Sequence, residues 1–329
     1  MPLTPVPLTL QTIYADLTQQ VYAAVLRPGS VYRRTIKGVE YLYAKIPVGE
    51  GRIDLFLGRG DDEAAAAKAL AIEEEAQRAA ERRRTVRMLR SRGLPGPSSE
   101  LGRVLDALAY AGIFAGGGVL VGTAAYQCYA PLVGHNLPSS SLMTLDANLA
   151  TASLVLEANE QKPFEAVLKH ADKTFTGLPT LNSKALSSRF RSASGFLVDL
   201  LTPQLRRADT NPMPLKNLQA GAIPLQHLGW LLEQPVQAVA LHGAGVPVTV
   251  PQPARYAAHK LIIAQKRTGD PTKRRKDLVQ AATLIEALSK ADPFALADAV
   301  ADAKSKGREG WARPLERSLA ELQLKVEVA

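Results

Sequence analysis

Asp146 and Asn148 stand two apart in the run Met143-Thr144-Leu145-Asp146-Ala147-Asn148-Leu149-Ala150. The run reads as a strand, and side chains at i and i+2 of a strand point to one face. Asp199 sits in a second run of the same kind, Phe196-Leu197-Val198-Asp199-Leu200-Leu201. A lone charge inside an apolar strand is costly to bury, so both acids ask for a specific partner. Upstream, Gly118-Val119-Leu120-Val121-Gly122-Thr123 reads as a buried strand that breaks at Gly122-Thr123 into a helix over Ala124–Ala130. A small-residue turn at a helix start lets a phosphate approach backbone N–H groups. Carboxylates are the hard oxygen donors that divalent cations take. These residue types therefore suit chemistry that brings Mg²⁺ and a nucleoside triphosphate together.

The landmarks resemble the DNA polymerase β-like nucleotidyltransferase superfamily. Its signature is a Gly-Ser or Gly-Thr turn, an Asp-x-Asp or Asp-x-Glu strand, and a third carboxylate on a neighbouring strand. Val119-Leu120-Val121-Gly122-Thr123, Thr144-Leu145-Asp146, Val198-Asp199-Leu200-Leu201-Thr202-Pro203 and Pro253-Ala254-Arg255-Tyr256-Ala257-Ala258-His259-Lys260-Leu261 follow one another in order. Together they are similar to a bacterial nucleotidyltransferase-fold family related to abortive-infection toxins. The similarity spans roughly Leu101 to Leu288.

The resemblance implies an α+β fold: a polymerase β-like core with a mixed sheet and flanking helices, an N-terminal α/β extension and a C-terminal helical region. It implies transfer of a nucleoside monophosphate from an NTP to a macromolecular acceptor, with Mg²⁺ or Mn²⁺ as cofactor. Asp146, Asn148 and Asp199 would be the catalytic and metal residues, with Asp199 also helping to deprotonate the acceptor. Gly122 and Thr123 would take the triphosphate, and Lys260 and Lys276-Asp277 would serve the nucleotide. The leading acceptor is RNA, a tRNA 3′ end in particular; a protein hydroxyl is second, and an antitoxin is a further possible partner. Asn148 departs from the pattern, standing where the family has its second Asp. Asn offers one carbonyl oxygen where Asp offers two anionic ones. Three explanations stay open: natural degeneracy, sufficiency of Asp146 and Asp199, or a substitution made to stop turnover. The alternative is thus an impaired fold that binds nucleotide, RNA or protein.

Composition agrees with a polyanion as partner. Lys and Arg number 40 against 31 Asp and Glu, a net charge of +9, and a basic surface attracts nucleic acid. Aromatic residues make up only 5%, which argues against base recognition on an aromatic stacking platform. Cys128 is the single cysteine, so no internal disulfide can form, as in a reducing cytoplasm. No signal peptide is apparent after Met1, and the apolar stretch 109–125 is short for a membrane span. A cytoplasmic protein without membrane contact is expected.

Three segments are expected. Residues 1–98 hold a helix (10–25), a hairpin with a third strand (31–58), and a long helix (61–92) ending in arginines. Arg82, Arg83, Arg84 and Arg87 of that helix are candidates for RNA phosphate contact. Residues 99–215 form the catalytic core, with Ser99 capping its first helix. A hairpin about Ala193-Ser194-Gly195 would set Asp199 beside the Asp146 strand. Residues 216–329 are mostly helical after a hairpin over 236–250, with Pro253 opening a helix.

Overall fold

From its N-terminus the chain forms α1 (Leu8–Ala23), the antiparallel strands β1 (Ser30–Ile36), β2 (Val39–Val48) and β3 (Gly51–Arg59), and the long helix α2 (Glu63–Ser91). The structure is a computed structural model; it describes residues 3–138, 146–150, 163–179, 186–206, 208–267 and 269–326. Met143–Leu145, part of the expected Asp146 strand, lie outside the described residues. Asp62 caps α2 by accepting the N–H of Ala64, and Glu63 follows it in the first turn, where the helix dipole favours a negative charge. Ala65, Ala69, Ile72, Ala79, Val86 and Leu89 are buried on this helix, in the three-and-four spacing of one helix face. That stripe packs on the sheet face carrying Leu42, Ala44, Ile46 and Val48.

The core begins at α3 (Ser99–Tyr110). Ser98, not Ser99, is its cap and accepts from Leu101 N. There follow β4 (Val119–Val121), α4 (Gly122–Tyr126), α5 (Tyr129–Val133), β5 (Asp146–Ala150), α6 (Phe164–Ala171), β6 (Thr176–Gly177), β7 (Arg189–Arg191), β8 (Leu197–Pro203), β9 (Met213–Leu215) and β10 (Ala220–Leu225). The single helix expected over 124–130 is two short helices that part at Gln127-Cys128. β8 is the centre of a mixed sheet. One edge pairs in parallel with β5, which in turn pairs antiparallel with β4; β8 also pairs antiparallel with β7 and in parallel with β10. Since β10 completes this sheet, the core sheet runs past residue 215.

The chain closes with α7 (Leu228–Leu231), the hairpin β11 (Val236–Ala240) and β12 (Val246–Val250), and the helices α8 (Pro253–Ala264), α9 (Pro271–Ala291), α10 (Pro293–Ser305) and α11 (Arg313–Glu321). Pro253, Pro271 and Pro293 each open a helix, where a missing N–H costs nothing. One apolar core joins all three segments, from Tyr14 and Leu17 through Leu120 and Val198 to Leu284 and Leu315. No described helix is long and apolar enough to cross a membrane.

Candidate active site

The site is built on a row that crosses three strands. In the parallel β5–β8 pair the register sets Asn148 opposite Asp199, and in the antiparallel β7–β8 hairpin it sets Arg189 opposite Asp199. Register partners share a face, so Asn148, Asp199 and Arg189 lie side by side, with Asp146 two residues from Asn148 on the same face. Arg189 clamps Asp199 with two hydrogen bonds, Nε to Oδ1 at 2.9 Å and Nη2 to Oδ2 at 3.1 Å. The Asp199 side chain is 12% exposed and that of Arg189 53%, so the pair reaches from the core to solvent. Asn148 Nδ2 makes a long hydrogen bond, 3.4 Å, to Asp146 Oδ2. Ala147, Leu149, Val198 and Leu200 alternate with these groups and are buried. The alternation holds the polar row at one wall of the apolar core.

Gly122 follows β4, whose Val121 is the register partner of Asn148. Its φ of +66° belongs to glycine, and an added Cβ would come 3.2 Å from Asn148 Nδ2. Tyr256 of α8 fixes the turn by donating to Gly122 O at 2.9 Å, and the same hydroxyl lies 3.0 Å from Gln280 Oε1 of α9. Burial pushes the Tyr256 phenol well above its ordinary value, so it remains a donor. Gln280 Nε2 reaches Thr123 Oγ1 at 3.4 Å. Thr123 is therefore held by α9 and does not cap α4, whose cap position is Val121.

The helices α8 and α9 supply cations. Lys260 Nζ stands 2.5 Å from Asp277 Oδ1 and 5.2 Å from the centre of the Tyr256 ring; Arg267 Nε takes Asp277 Oδ2, also at 2.5 Å. Asp277 is thus turned inward with both oxygens engaged. Burial lowers the pKa of Lys260, while Asp277 and, more weakly, Asp146 oppose that shift. Burial also lowers Lys276, with Lys260 adding to the effect and Asp146 opposing it. Asp146 further supports the charge of Arg189, behind the larger effect of Asp199. The field of one carboxylate therefore joins β5, β7, α8 and α9.

The oxygen donors that this face could offer a divalent ion are the carboxylates of Asp146 and Asp199 and the side-chain carbonyl of Asn148. Among the described residues, no group of three or more His, Cys, Asp or Glu side chains is arranged to hold a metal. His259, next to Lys260, is kept neutral by burial, with a pKa lowered to about 3. The lone thiol of Cys128 is buried and pushed up to about 12, which suits a core residue and no nucleophile.

The arginine-rich helix corrects an expectation. Arg82 is buried and bonded through Nη2 to Glu75 Oε1 at 2.5 Å. It lies in the apolar stripe of α2, so it cannot reach an RNA phosphate; Arg83, Arg84 and Arg87 are exposed. The steps from Ile72 to Ala79 and Val86 already place residues 75 and 82 on the inward face. Arg189 was missed as well, and a signal for it exists: residues 189 and 199 are equidistant from Ser194 at the hairpin turn. Tyr256, Gln280 and Arg267 have no comparable signal, because their partners are fixed by helix packing.

Residues 99–305 match the model of a family described as nucleotidyltransferase. A crystal structure of an antigenic nucleotidyltransferase-like protein from Paracoccidioides brasiliensis is similar at 16% identity, covering 68% of this chain and 94% of that one, with a TM-score of 0.34. No curated protein matches the chain.

Proposed function

The chain belongs to the nucleotidyltransferase family, and from that premise we propose that it moves a nucleoside monophosphate from an NTP onto RNA, with Mg²⁺ or Mn²⁺ as cofactor. The observation that carries the reading is the register pair Asn148–Asp199, with Asp146 on the same face and the Gly122 turn in contact with Asn148. The backbone N–H groups at Gly122-Thr123 would receive phosphate oxygens, and Lys260 and Lys276 would balance the triphosphate charge. Asp146, Asp199 and the carbonyl of Asn148 would hold the metal. This set fits one ion better than two, since Mg²⁺ is commonly bound by one or two carboxylates together with substrate phosphates. That ion would supply positive charge to the reacting phosphate. Arg189 orients Asp199 and adds a fixed positive charge to the row.

An RNA acceptor, such as a tRNA 3′ end, is favoured by the net charge of +9 and by the resemblance to the nucleotide-transferring toxins. A protein hydroxyl and an antitoxin partner are the corresponding protein-directed readings. The absence of a possible internal disulfide suits a cytoplasmic setting. One pair of observations favours a second reading, a nucleotide- or RNA-binding module with impaired turnover: Asn148 carries no charge, and both oxygens of Asp199 are engaged by Arg189.

Incubation with each α-labelled NTP, Mg²⁺ or Mn²⁺, and total RNA or cell protein separates these readings. Label is expected in RNA with the native sequence and not with Asp146→Asn. Label in protein alone would move the acceptor to a hydroxyl. No label from either the native chain or Asn148→Asp would leave the binding module.

A further inference from the structure

The N-terminal sheet carries a second cross-strand row, made of aromatic rings. Its register pairs Tyr32 of β1 with Tyr43 of β2, and Tyr43 with Phe56 of β3. The three rings form one line, Tyr32 stacked on Tyr43 at 5.5 Å and Tyr43 tilted on Phe56 at 5.3 Å. Tyr41, two residues from Tyr43, joins from the side at 6.0 Å from Phe56. This is the face turned away from α2. The opposite face, with Leu42, Ala44, Ile46 and Val48, is the buried one. Phe56 is 55% exposed. A large ring left in solvent, in line with two further rings on the face turned away from α2, marks a contact surface rather than core.

The charges around the rings indicate the partner. Arg34, Lys45, Arg52 and Arg59 share the aromatic face by register, and all four are exposed. Asp54 is the one carboxylate of the strands on this face. Lys45 Nζ lies 5.0 Å over the Tyr32 ring, and Arg59 is tied to Asp61 at 3.1 Å. Rings that can take the π-face of any base, bordered by cations that can follow a phosphate backbone, are the two components of a single-strand binding surface. A duplex keeps its bases stacked inside and offers such rings nothing to stack on. An acidic protein would meet the cations but would leave the rings without flat partners.

We propose that this face binds a single-stranded segment of nucleic acid, with bases on Tyr32, Tyr43 and Phe56 and phosphates along Arg34, Lys45 and Arg52. The proposal deepens the reading of an RNA acceptor and rests on it only in preferring RNA to DNA. It also moves the nucleic-acid contact from the arginines of α2 to the opposite side of the sheet. The sheet is fixed to the catalytic core at its β2–β3 turn. Gly49 N donates to Asp106 Oδ2 at 3.0 Å, Glu50 N donates to His170 O at 3.1 Å, and Arg103 pairs with Glu50 at 3.0 Å. A strand held on this face is therefore held by an element docked on α3 and α6.

The test is the binding of fluorescent oligonucleotides to the full chain, without NTP or metal, across a salt series. An oligoribonucleotide, the matching oligodeoxynucleotide and a duplex are compared. Single strands should bind and the duplex should bind more weakly. Phe56→Leu and Tyr43→Leu keep an apolar side chain and should retain the far-UV circular dichroism of the native chain. Each should lose about 5- to 150-fold in affinity, the range for one stacked base. Lys45→Ala should flatten the dependence of log affinity on log salt by about 0.7, the value for one phosphate on a single strand. Removing Arg83, Arg84 and Arg87 together should leave the stacking contribution unchanged. Four results would overturn the proposal: no oligonucleotide binding by the native chain, unchanged affinity in folded Phe56→Leu and Tyr43→Leu, equal affinity for duplex, or loss of binding only with the α2 arginines. Equal binding of RNA and DNA would remove only the preference for RNA. Binding without any transfer of label would retain this face and reject the transferase reading; transfer without binding would do the reverse.

Discussion

Asn148, Asp199 and Arg189 form a row across β5, β8 and β7, and Tyr32, Tyr43 and Phe56 form a row across β1, β2 and β3. Both rows are set by strand register, yet they depend on position to different degrees. In the polar row a shift of one residue would turn Asp199 into the apolar core and Val198 out of it. Each polar group there has a partner with a required distance and direction, because a buried charge without one is costly. The aromatic row has no such requirement. Rings attract through area and a broad range of angles; Phe56 is exposed, and Tyr32 and Tyr43 are partly buried. The same architectural device thus gives one sheet a site with a fixed geometry and the other a surface tolerant of sequence and pose.

Substitutions can break this contrast, and the largest effect belongs to the polar side. Asp277→Ala leaves Lys260 buried beside Arg267 with no carboxylate between them. It should destabilise the fold by about 3–5 kcal/mol, as expected when one partner of a buried ion pair is removed. Thermal or urea denaturation reads this directly, and a loss below about 1 kcal/mol, the value of an exposed pair, would show that the charges are solvated.

Next in size, Asp146→Asn should lower transfer by about 10²–10³-fold, comparable to loss of one electrostatic group in a preorganised site. Its melting temperature should hold, since the side chain keeps its size. Single-turnover transfer from a labelled NTP is the measurement, and retained activity would remove Asp146 from the metal set.

Asn148→Asp sharpens the comparison from the other direction. A second carboxylate two residues from Asp146 adds an anionic ligand and should raise Mg²⁺-dependent transfer by up to about 10²-fold. Crowding it beside Asp146 and Asp199 should make the chain less stable in chelator than in Mg²⁺, because like charges oppose each other's ionisation. If the native chain is fully active and the variant gains nothing, residue 148 is not a ligand and the strand has been aligned wrongly to the family.

Two smaller effects follow. His259 and His227 are held neutral by burial, with pKa values lowered to about 3 and about 4. Below the ordinary histidine pKa, near 6.5, the unfolded chain binds protons that the folded chain refuses. Stability is therefore complete above that value and falls as pH falls toward the lowered values. From pH 7 to 6 each histidine should contribute a loss of at most about 0.7 kcal/mol, and His259→Gln should flatten the curve. On the aromatic side, Tyr43→Leu should cost only about 0.2–1 kcal/mol of stability, the range for one cross-strand pair. A larger loss would make the row a structural ladder and close the contrast between the two sheets.

The sequence made the elements and their order readable where a local signal was strong. Pro253 marks a helix start, and Ala193-Ser194-Gly195 marks the hairpin that sets Asp199 beside Arg189. The alternation of Asp146 and Asn148 with Ala147 and Leu149 gave the shared face. What escaped depends on contacts far apart in the chain. The resemblance gives Asp277 a part in serving the nucleotide, but its pairing with Lys260 shows only where α8 packs on α9, and Tyr256 has no visible reason to touch Gly122 until α8 crosses the turn. Composition counts rings without placing them. Aromatic residues are few, yet Tyr32, Tyr41, Tyr43 and Phe56 are gathered on one face by strand register.

The turn at Gly122-Thr123 is held by Gln280, 157 residues further along the chain from Thr123. During synthesis the strands bearing Asp146 and Asp199 emerge well before α9, so a chain that has not reached α9 has the acids and Lys260 without Lys276, Asp277 and the Gln280 brace on the turn. Chains that stop short of α9 are expected to be inert as well as unstable. Emergence of α9 is then itself the step that completes the braced turn.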